Sequence, residues 1–244
     1  MVENNINWEE KFVNKLGLNE NDYIKILSTI NNISSKEDNE NNKYIIKCIS
    51  LDVPRTLPEE FRKQNPKFTS NLEEVLKVFS FSNGGLGYIS GMSFIVKMLL
   101  KLTNNNKIKT YIVLRNIFEN ENIKDLYNDN YMNIYNKFKI LFKEKLPSLF
   151  QHFENNKIDL LNFVYSKFKT LFTFTFDENI AEYIFKIFIY KNDFNINLDS
   201  LLVILKIYEM ELLNINEYEI LTFIYSIKTV DFNKFIENMK EYNK

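Results

Sequence analysis

Apolar residues recur three and four positions apart along most of this chain, the spacing of helices that bury one face. Over residues 7–30 they fall at Trp8, Phe12, Leu16, Ile24, Ile26 and Leu27, are interrupted by Gly17, and predict two short helices. Residues 31–42 carry Ser34, Ser35, Lys36, Glu37 and Asp38 and almost nothing apolar, which predicts an exposed connection. Three of the four prolines, Pro54, Pro58 and Pro66, then punctuate residues 44–68. Proline blocks helix continuation and restricts the residue before it, so this segment is predicted to be largely irregular after a short helix ending near Asp52.

Asn71, with Glu74 three residues on, has the pattern of a capping box, and Leu72, Val75, Leu76 and Phe79 make one apolar face behind it. That helix is expected to stop at Asn83-Gly84-Gly85. Four of the five glycines, Gly84, Gly85, Gly87 and Gly91, lie within eight residues, and the next helix, over 91–102, is apolar nearly all round through Met92, Phe94, Ile95, Met98 and Leu99. Such a helix belongs at the centre of a bundle. Helical spacing resumes over 108–119, 132–142, 145–153, 158–172, 179–190, 198–213, 217–226 and 231–242, with no repeat of fixed period. The pattern predicts an all-α fold, a single multi-helix domain of about ten helices with no significant sheet. Within one structural unit, residues 1–42 form N-terminal helices and a polar linker, and 43–244 the main helical domain.

Composition narrows the chemistry. The 244 residues are 45% hydrophobic, enough for a sizeable core. Lys and Arg number 31 against 32 for Asp and Glu, a net charge of −1 that provides no global field for nucleic acid or an anionic membrane. A single cysteine, Cys48, and a single histidine, His152, leave no Cys/His set for a metal. The polar, acidic start and the charges interrupting the most apolar stretches (Lys97, Lys206, Glu209, Glu211) argue against a signal peptide and a transmembrane span. A cytoplasmic protein without its own metal or cofactor is the expectation.

Several arrangements of chemically capable residues are weak. Gly85-Leu86-Gly87 is followed by Ser90 where a dinucleotide fingerprint needs glycine, and no Gly-Lys-Ser/Thr follows, so a tight turn between helices fits better than a phosphate loop. Ser90 with His152 lacks the flanking glycines of a nucleophile elbow. Glu59-Glu60 and Glu73-Glu74 suit helix starts better than an acid–base pair. Phe163, Phe168, Phe172, Phe185 and Phe188 have the spacing of core residues rather than of a stacking platform. What remains is Ile49-Ser50-Leu51-Asp52-Val53-Pro54-Arg55-Thr56, where one arginine follows a carboxylate by three positions. That carboxylate can direct the guanidinium; an ordinary surface ion pair is the alternative.

These residues resemble the TBC domain of Rab GTPase-activating proteins. Ile49, Asp52, Arg55 and Thr56 match its I-x-x-D-x-x-R-T motif, and Tyr88, Gly91 and Met92 match its Y-x-Q-G-M motif except at the glutamine, where this chain has Ser90. Residues 149–153 with His152, and 168–172, resemble two further family segments, so about 43–190 are covered. The chain departs at Lys167, where the family usually has Trp, at Lys186-Ile187-Phe188-Ile189, which replaces Arg-Ile-Trp-Asp, and at the N-terminus, which has no Arg-x-x-x-Trp element.

The resemblance implies an all-helical fold that binds a Rab-type small GTPase in its GTP form, with Arg55 as arginine finger, Asp52 orienting it and Thr56 supporting the loop. Ile49, Tyr88, Ser90, Gly91 and Met92 complete the two finger loops, and Mg²⁺ and GTP belong to the partner. It implies roles in vesicle trafficking and peripheral association with endomembranes through that partner. Two other readings stand beside GTPase activation: a catalytically inactive Rab-binding or scaffold protein, and a helical peptide-binding adaptor.

Overall fold

Among the described residues four helices end in a left-handed residue that is not glycine, which is how a protein with five glycines manages so many turns. The computed structural model describes residues 19–34, 40–83, 86–128 and 130–242, and among them every regular element is helical, fifteen helices in all. The predicted helix before Gly17 and the turn at Gly84-Gly85 lie outside the described residues. The described chain falls into two compact units, 1–120 and 121–244.

The first unit holds α1 (Glu20–Ser34), α2 (Glu40–Thr56), α3 (Glu59–Gln64), α4 (Pro66–Ser82), α5 (Met92–Leu102) and α6 (Lys107–Ile117). Helix α4 is its hub and packs against the other five. Leu72, Val75, Leu76 and Phe79 are sealed from solvent as their spacing requires. The α1–α4 seam is closed by Glu74, which accepts from Tyr23 Oη at 2.9 Å and from Lys107 Nζ at 2.7 Å. Burial, reinforced by the Glu74 bond, raises the Tyr23 phenol far above its ordinary pKa.

Several expectations are corrected here. Residues 44–68 are helical rather than irregular, because the prolines mostly sit where helices begin. Pro58 is the N-cap of α3 and Pro66 the first residue of α4, positions at which a missing N–H costs nothing. Pro54 lies inside α2, but in its last turn and on its exposed side, one turn after the exposed Ser50. The helix therefore runs past Asp52 to Thr56. Asn71 caps nothing: α4 already started at Pro66, and the buried Asn71 amide donates to Asn105 O at 3.1 Å and Asn105 Oδ1 at 2.9 Å. Glu73 and Glu74 are consequently mid-helix. Residues 31–34 and 40–42 of the expected loop are helical, and 35–39 lie outside the described residues.

The second unit holds α7 (Glu121–Leu126), α8 (Tyr131–Lys145), α9 (Pro147–Asn155), α10 (Leu161–Lys169), α11 (Glu178–Lys191), α12 (Asn195–Ile207), α13 (Glu209–Asn214), α14 (Glu217–Ser226) and α15 (Phe232–Tyr242). Its hub is α12, buried almost all round and packed on α8, α11, α13 and α15. The helix predicted over 198–213 is broken at Tyr208, and α3 and α7, each six residues long, are too short to show a period in the sequence. Phe168, Phe172, Phe188 and Phe194 meet edge to face in the core.

The helix ends explain the low glycine count. After α5, α9 and α10 the chain makes a Schellman turn: Asn105 N bonds Leu100 O, Ile158 N bonds Phe153 O, and Phe172 N bonds Lys167 O, at 2.7, 2.9 and 3.0 Å. The left-handed residues are Asn104, Lys157 and Leu171, and Asn192 ends α11 in the same conformation. Asparagine tolerates this conformation. Leu171 and the following Phe172, also at positive φ, are held there by complete burial of both side chains.

Lys167 lies inside this core, 4% exposed, with its ammonium 5.0 Å from the Phe163 ring and 4.9 Å from that of Phe176. Burial, then the nearby Lys228, pushes its pKa from 10.5 down to about 8, although the two ring faces offset part of that penalty. Below about pH 8 both the native and unfolded chains carry the proton and the cost of the buried charge is felt in full. Between about 8 and 10.5 the unfolded chain holds a proton the native chain has released, so the contribution of this residue to stability rises with pH. Lys167→Met is expected to stabilise the protein by roughly 1–2 kcal/mol at pH 7 and to gain little near pH 10, as read by denaturant unfolding at both values. A variant less stable than wild type at pH 7 would show that the ring–ammonium attraction outweighs burial.

Candidate functional site

Ile49, Asp52, Val53 and Thr56 are spaced i, i+3, i+4, i+7, so the end of α2 must turn them toward one side. All four are buried, and Arg55, off that stripe, is exposed. Arg55 is thus in the last turn of a helix rather than in a proline-stiffened loop. Its side chain is 72% exposed, against 13% for that of Asp52, and its Nη1 donates to Asp52 Oδ1 at 3.3 Å. The carboxylate behind the guanidinium is therefore mostly closed off while the guanidinium is open.

The other oxygen of Asp52 accepts from Tyr88 Oη at 2.8 Å. Burial, and after it the bond to Asp52, keeps the Tyr88 phenol protonated well above the ordinary tyrosine value. Thr56 Oγ1 lies 2.9 Å from the Asp52 carbonyl oxygen and 2.6 Å from Ser93 Oγ, a fully buried hydroxyl in the first turn of α5. These contacts bind the end of α2 to the turn that leads into α5.

That turn is shaped by two glycines. Gly87 has φ +66°, and its backbone N–H and C=O are both taken by the Asn83 amide, at 3.0 and 2.9 Å. Gly91, at φ +100°, is the N-cap of α5, and Met92 N bonds Ile89 O across the turn at 3.1 Å. Met92 is sealed in the core and Ser90 is exposed at the tip. Of the eight residues singled out from the two motifs, only Arg55 and Ser90 are exposed; Ile49, Asp52, Thr56 and Met92 are buried, Tyr88 and Gly91 half-buried.

The remaining candidates are placed elsewhere. His152 sits on α9 with Nδ1 3.4 Å from the Asn156 amide and Nε2 buried without a hydrogen-bond partner, which gives no support to a dyad with Ser90. Glu59 and Glu60 occupy the first turn of α3, as expected of a helix start, and Glu59 pairs with Lys63 at 2.7 Å. Phe163, Phe168, Phe172, Phe185 and Phe188 are all core residues. Among the described residues no His/Cys/Asp/Glu group could hold a metal ion, and no helix is long and apolar enough to cross a membrane. Ser93 is the residue that the motifs omit; its one sequence signal is a hydroxyl among the apolar residues Met92, Phe94, Ile95 and Val96. The arrangement can offer a permanently charged guanidinium, held from behind, to an anion brought from outside.

The family model for the Rab-GTPase-TBC domain matches residues 12–213. The Rab GTPase-activating protein eat-17 of Caenorhabditis elegans is 32% identical over 147 residues, 59% of this chain and 16% of that protein. The human ecotropic viral integration site 5 protein homolog is 29% identical over 147 residues, 58% of this chain and 18% of its own length. The chain thus spans less than a fifth of either relative. The fold is similar to that of the Chlamydomonas flagellar RabGAP TBC domain, with a TM-score of 0.77 at 21% identity over 97% of this chain and 76% of that one. It is also similar to the Ypt/Rab-GAP domain of Gyp1p, with a TM-score of 0.74 at 14% identity over 91% and 78%.

Because Gly91 sits where an L side chain is strained, Gly91→Ala is expected to lower stability by roughly 1–2 kcal/mol in denaturant unfolding. An unchanged midpoint would mean that the turn relaxes into another conformation.

Proposed function

The chain belongs to the Rab-GTPase-TBC domain family, and on that premise we propose that it accelerates GTP hydrolysis by a Rab-type small GTPase in its GTP-bound form. The observation that carries this reading is the exposed Arg55 guanidinium backed by a carboxylate whose other oxygen is held by Tyr88. Phosphoryl transfer to water builds negative charge on the β- and γ-phosphate oxygens, and little covalent chemistry is needed beyond positioning and charge stabilisation. A planar guanidinium that never loses its proton suits that task. In this reading Arg55 is the arginine finger, Asp52 directs it, Ile49 and Thr56 anchor the helix end, and the GTPase holds GTP and Mg²⁺. Membrane association is then peripheral and comes through the GTPase, in vesicle trafficking on the cytoplasmic face of endomembranes.

Ser90 occupies the place of the glutamine in the second motif. Its hydroxyl is shorter than an amide side chain and cannot both donate to and accept from an attacking water at the same reach. Loss of one positioned donor costs about 10²–10³ in rate, so in this proposal the water is oriented by the glutamine of the GTPase itself. Ser90 is also the observation that favours a second reading, a TBC-like scaffold that binds the GTPase without accelerating it.

Single-turnover GTP hydrolysis across a panel of Rab proteins distinguishes the two. Wild type is expected to accelerate at least one member, and Arg55→Ala to remove about 10³–10⁵ of the rate, equivalent to roughly 4–7 kcal/mol. Arg55→Lys should recover little, since an ammonium lacks the two-pronged geometry. Acceleration that survives Arg55→Ala would sink the finger assignment; retention of GTP-loaded Rab with no acceleration supports the scaffold, and no binding at all the peptide adaptor.

A separate assay concerns Ser90. If the missing amide limits the rate, Ser90→Gln should raise single-turnover activity, by up to about 10²-fold. No gain with binding intact would indicate that the GTPase already supplies that contact.

A further inference from the structure

A side chain in the last turn of a helix has its nearest surface neighbours three and four positions back. For Arg55 these are Asp52, mostly closed off and bound to the guanidinium, and Leu51, which is 51% exposed. The Asp52 bond folds the guanidinium back along α2, toward the turn that carries Leu51. At about 100° per residue, Tyr44, Cys48, Leu51 and Arg55 fall within a sector of about 60° and form one line along the helix. On that line Cys48 is half-buried and Tyr44 is 65% exposed.

A single exposed leucine on a protein surface is ordinary. Among the described residues of the first unit, however, large apolar side chains are exposed only at Ile24, Tyr44, Leu51 and Phe61, and Phe61 is engaged edge to face with Phe68. Two of the remaining three share the line that ends in Arg55. The exposed Lys43 and Lys47 of the same helix lie about 80–120° round from that line, so the strip beside the guanidinium is apolar between a charged flank and the buried seam.

Dimensions decide what covers this strip. A specific protein interface takes about 800 Å² from each partner, which as a disc has a radius of about 16 Å. At about 1.5 Å of rise per residue, Leu51 lies about 6 Å along α2 from Arg55 and Tyr44 about 16 Å. A GTPase that admits Arg55 to its phosphates therefore covers Leu51 near the centre of the contact and meets Tyr44 at the rim. We propose that Leu51 is a specificity-determining anchor of this contact, with Tyr44 at its edge, and that the preferred partner is a GTPase whose surface beside the nucleotide is apolar where it faces α2. The inference rests on the reading of Arg55 as the residue that enters the GTPase. A partner that is polar at that point loses water from its polar groups against Leu51 and gains no hydrogen bond in return, which is how an apolar side chain selects among otherwise similar surfaces.

The test uses Leu51→Ala, Leu51→Asp and Tyr44→Ala, with Ser50→Asp as a control, since exposed Ser50 lies about 140° round α2 from Arg55. Single-turnover hydrolysis by a responsive Rab protein is followed against the concentration of this protein. Leu51→Ala should raise the concentration giving half the maximal rate about tenfold, Leu51→Asp more than that, and Tyr44→Ala about threefold, because central contacts outweigh those at the rim. The maximal rate should stay within about twofold, as these side chains bind both ground and transition states, and the melting temperature should be retained. Ser50→Asp should match wild type. Shifts below threefold in both Leu51 variants, while Arg55→Ala abolishes acceleration, overturn the proposal and leave the finger intact; so does a loss in Ser50→Asp as large as that in Leu51→Asp. If wild type binds GTP-loaded Rab without accelerating hydrolysis, the catalytic reading fails and the dissociation constant decides instead: a tenfold or greater weakening in Leu51→Asp supports the anchor, and a smaller one overturns it. Absence of binding to any Rab overturns both.

Discussion

A carboxylate closed off from water must have both its oxygens met, and at Asp52 that requirement organises the whole first site. Leaving one oxygen bare would incur the desolvation cost of a charged group, several times the net worth of an ordinary hydrogen bond. Tyr88 meets one oxygen and Arg55 the other. The two donors come from different segments: Tyr88 from the half-buried turn before α5, Arg55 from the exposed end of α2. A single side chain thereby joins two segments 36 residues apart and points a cation outward. The turn before α5 can serve this purpose only because Gly87 and Gly91 accept positive φ and the Asn83 amide clasps the first of them.

Glycine is scarce, so where it occurs is informative. Elsewhere the left-handed ends of helices fall to Asn104, Lys157, Leu171 and Asn192. Asparagine enters that region at little cost, whereas leucine and phenylalanine do so at a strain of order 1–3 kcal/mol each. At Leu171 and Phe172 the strain is offset by burying two large side chains completely, each worth about 1.5–3 kcal/mol. The turn before α5 offers no such compensation at its tip, because Ser90 is exposed. Glycine at position 91 is the alternative to paying with burial.

The fold class was legible because helical periodicity is a property of whole segments: α5, α6, α8, α11, α14 and α15 lie where apolar spacing places them, and α4 does so from Asn71 onward. Single polar residues were less legible, since their roles depend on partners distant in sequence. Asn71 reads as a cap from its neighbours, yet its amide is used by Asn105, 34 residues on. Proline as a breaker was misleading in residues 44–68, because a proline at a helix start has no bond to break and Pro54 sits in a last turn. At the site, the spacing of Asp52 and Arg55 foretold their ion pair, which is a contact within one helix. Ser93 was invisible because its partner, Thr56, lies 37 residues earlier, and a serine in an apolar run looks like a tolerated gap.

The two departures from the family pattern at Ser90 and Lys167 differ in what they ask of the structure. Ser90 is exposed at the tip of a turn whose shape is set by Gly87, Asn83 and Gly91. Exchanging its side chain alters the chemistry presented to a partner and leaves the packing alone. Lys167 stands inside the core, where the family usually has a large apolar ring, and its neighbours must accommodate it. The aliphatic stem takes the place of apolar bulk, and Phe163 and Phe176 face the ammonium in place of a counterion. A substitution at the tip can therefore tune or remove an activity at no cost to the fold, while one in the core is tolerated only to the extent that its charge is met. Retention of the buried frame formed by Ile49, Asp52, Thr56 and Met92 follows from packing and hydrogen bonding alone, so the functional meaning of the site rests on the two residues that packing does not constrain, Arg55 and Ser90.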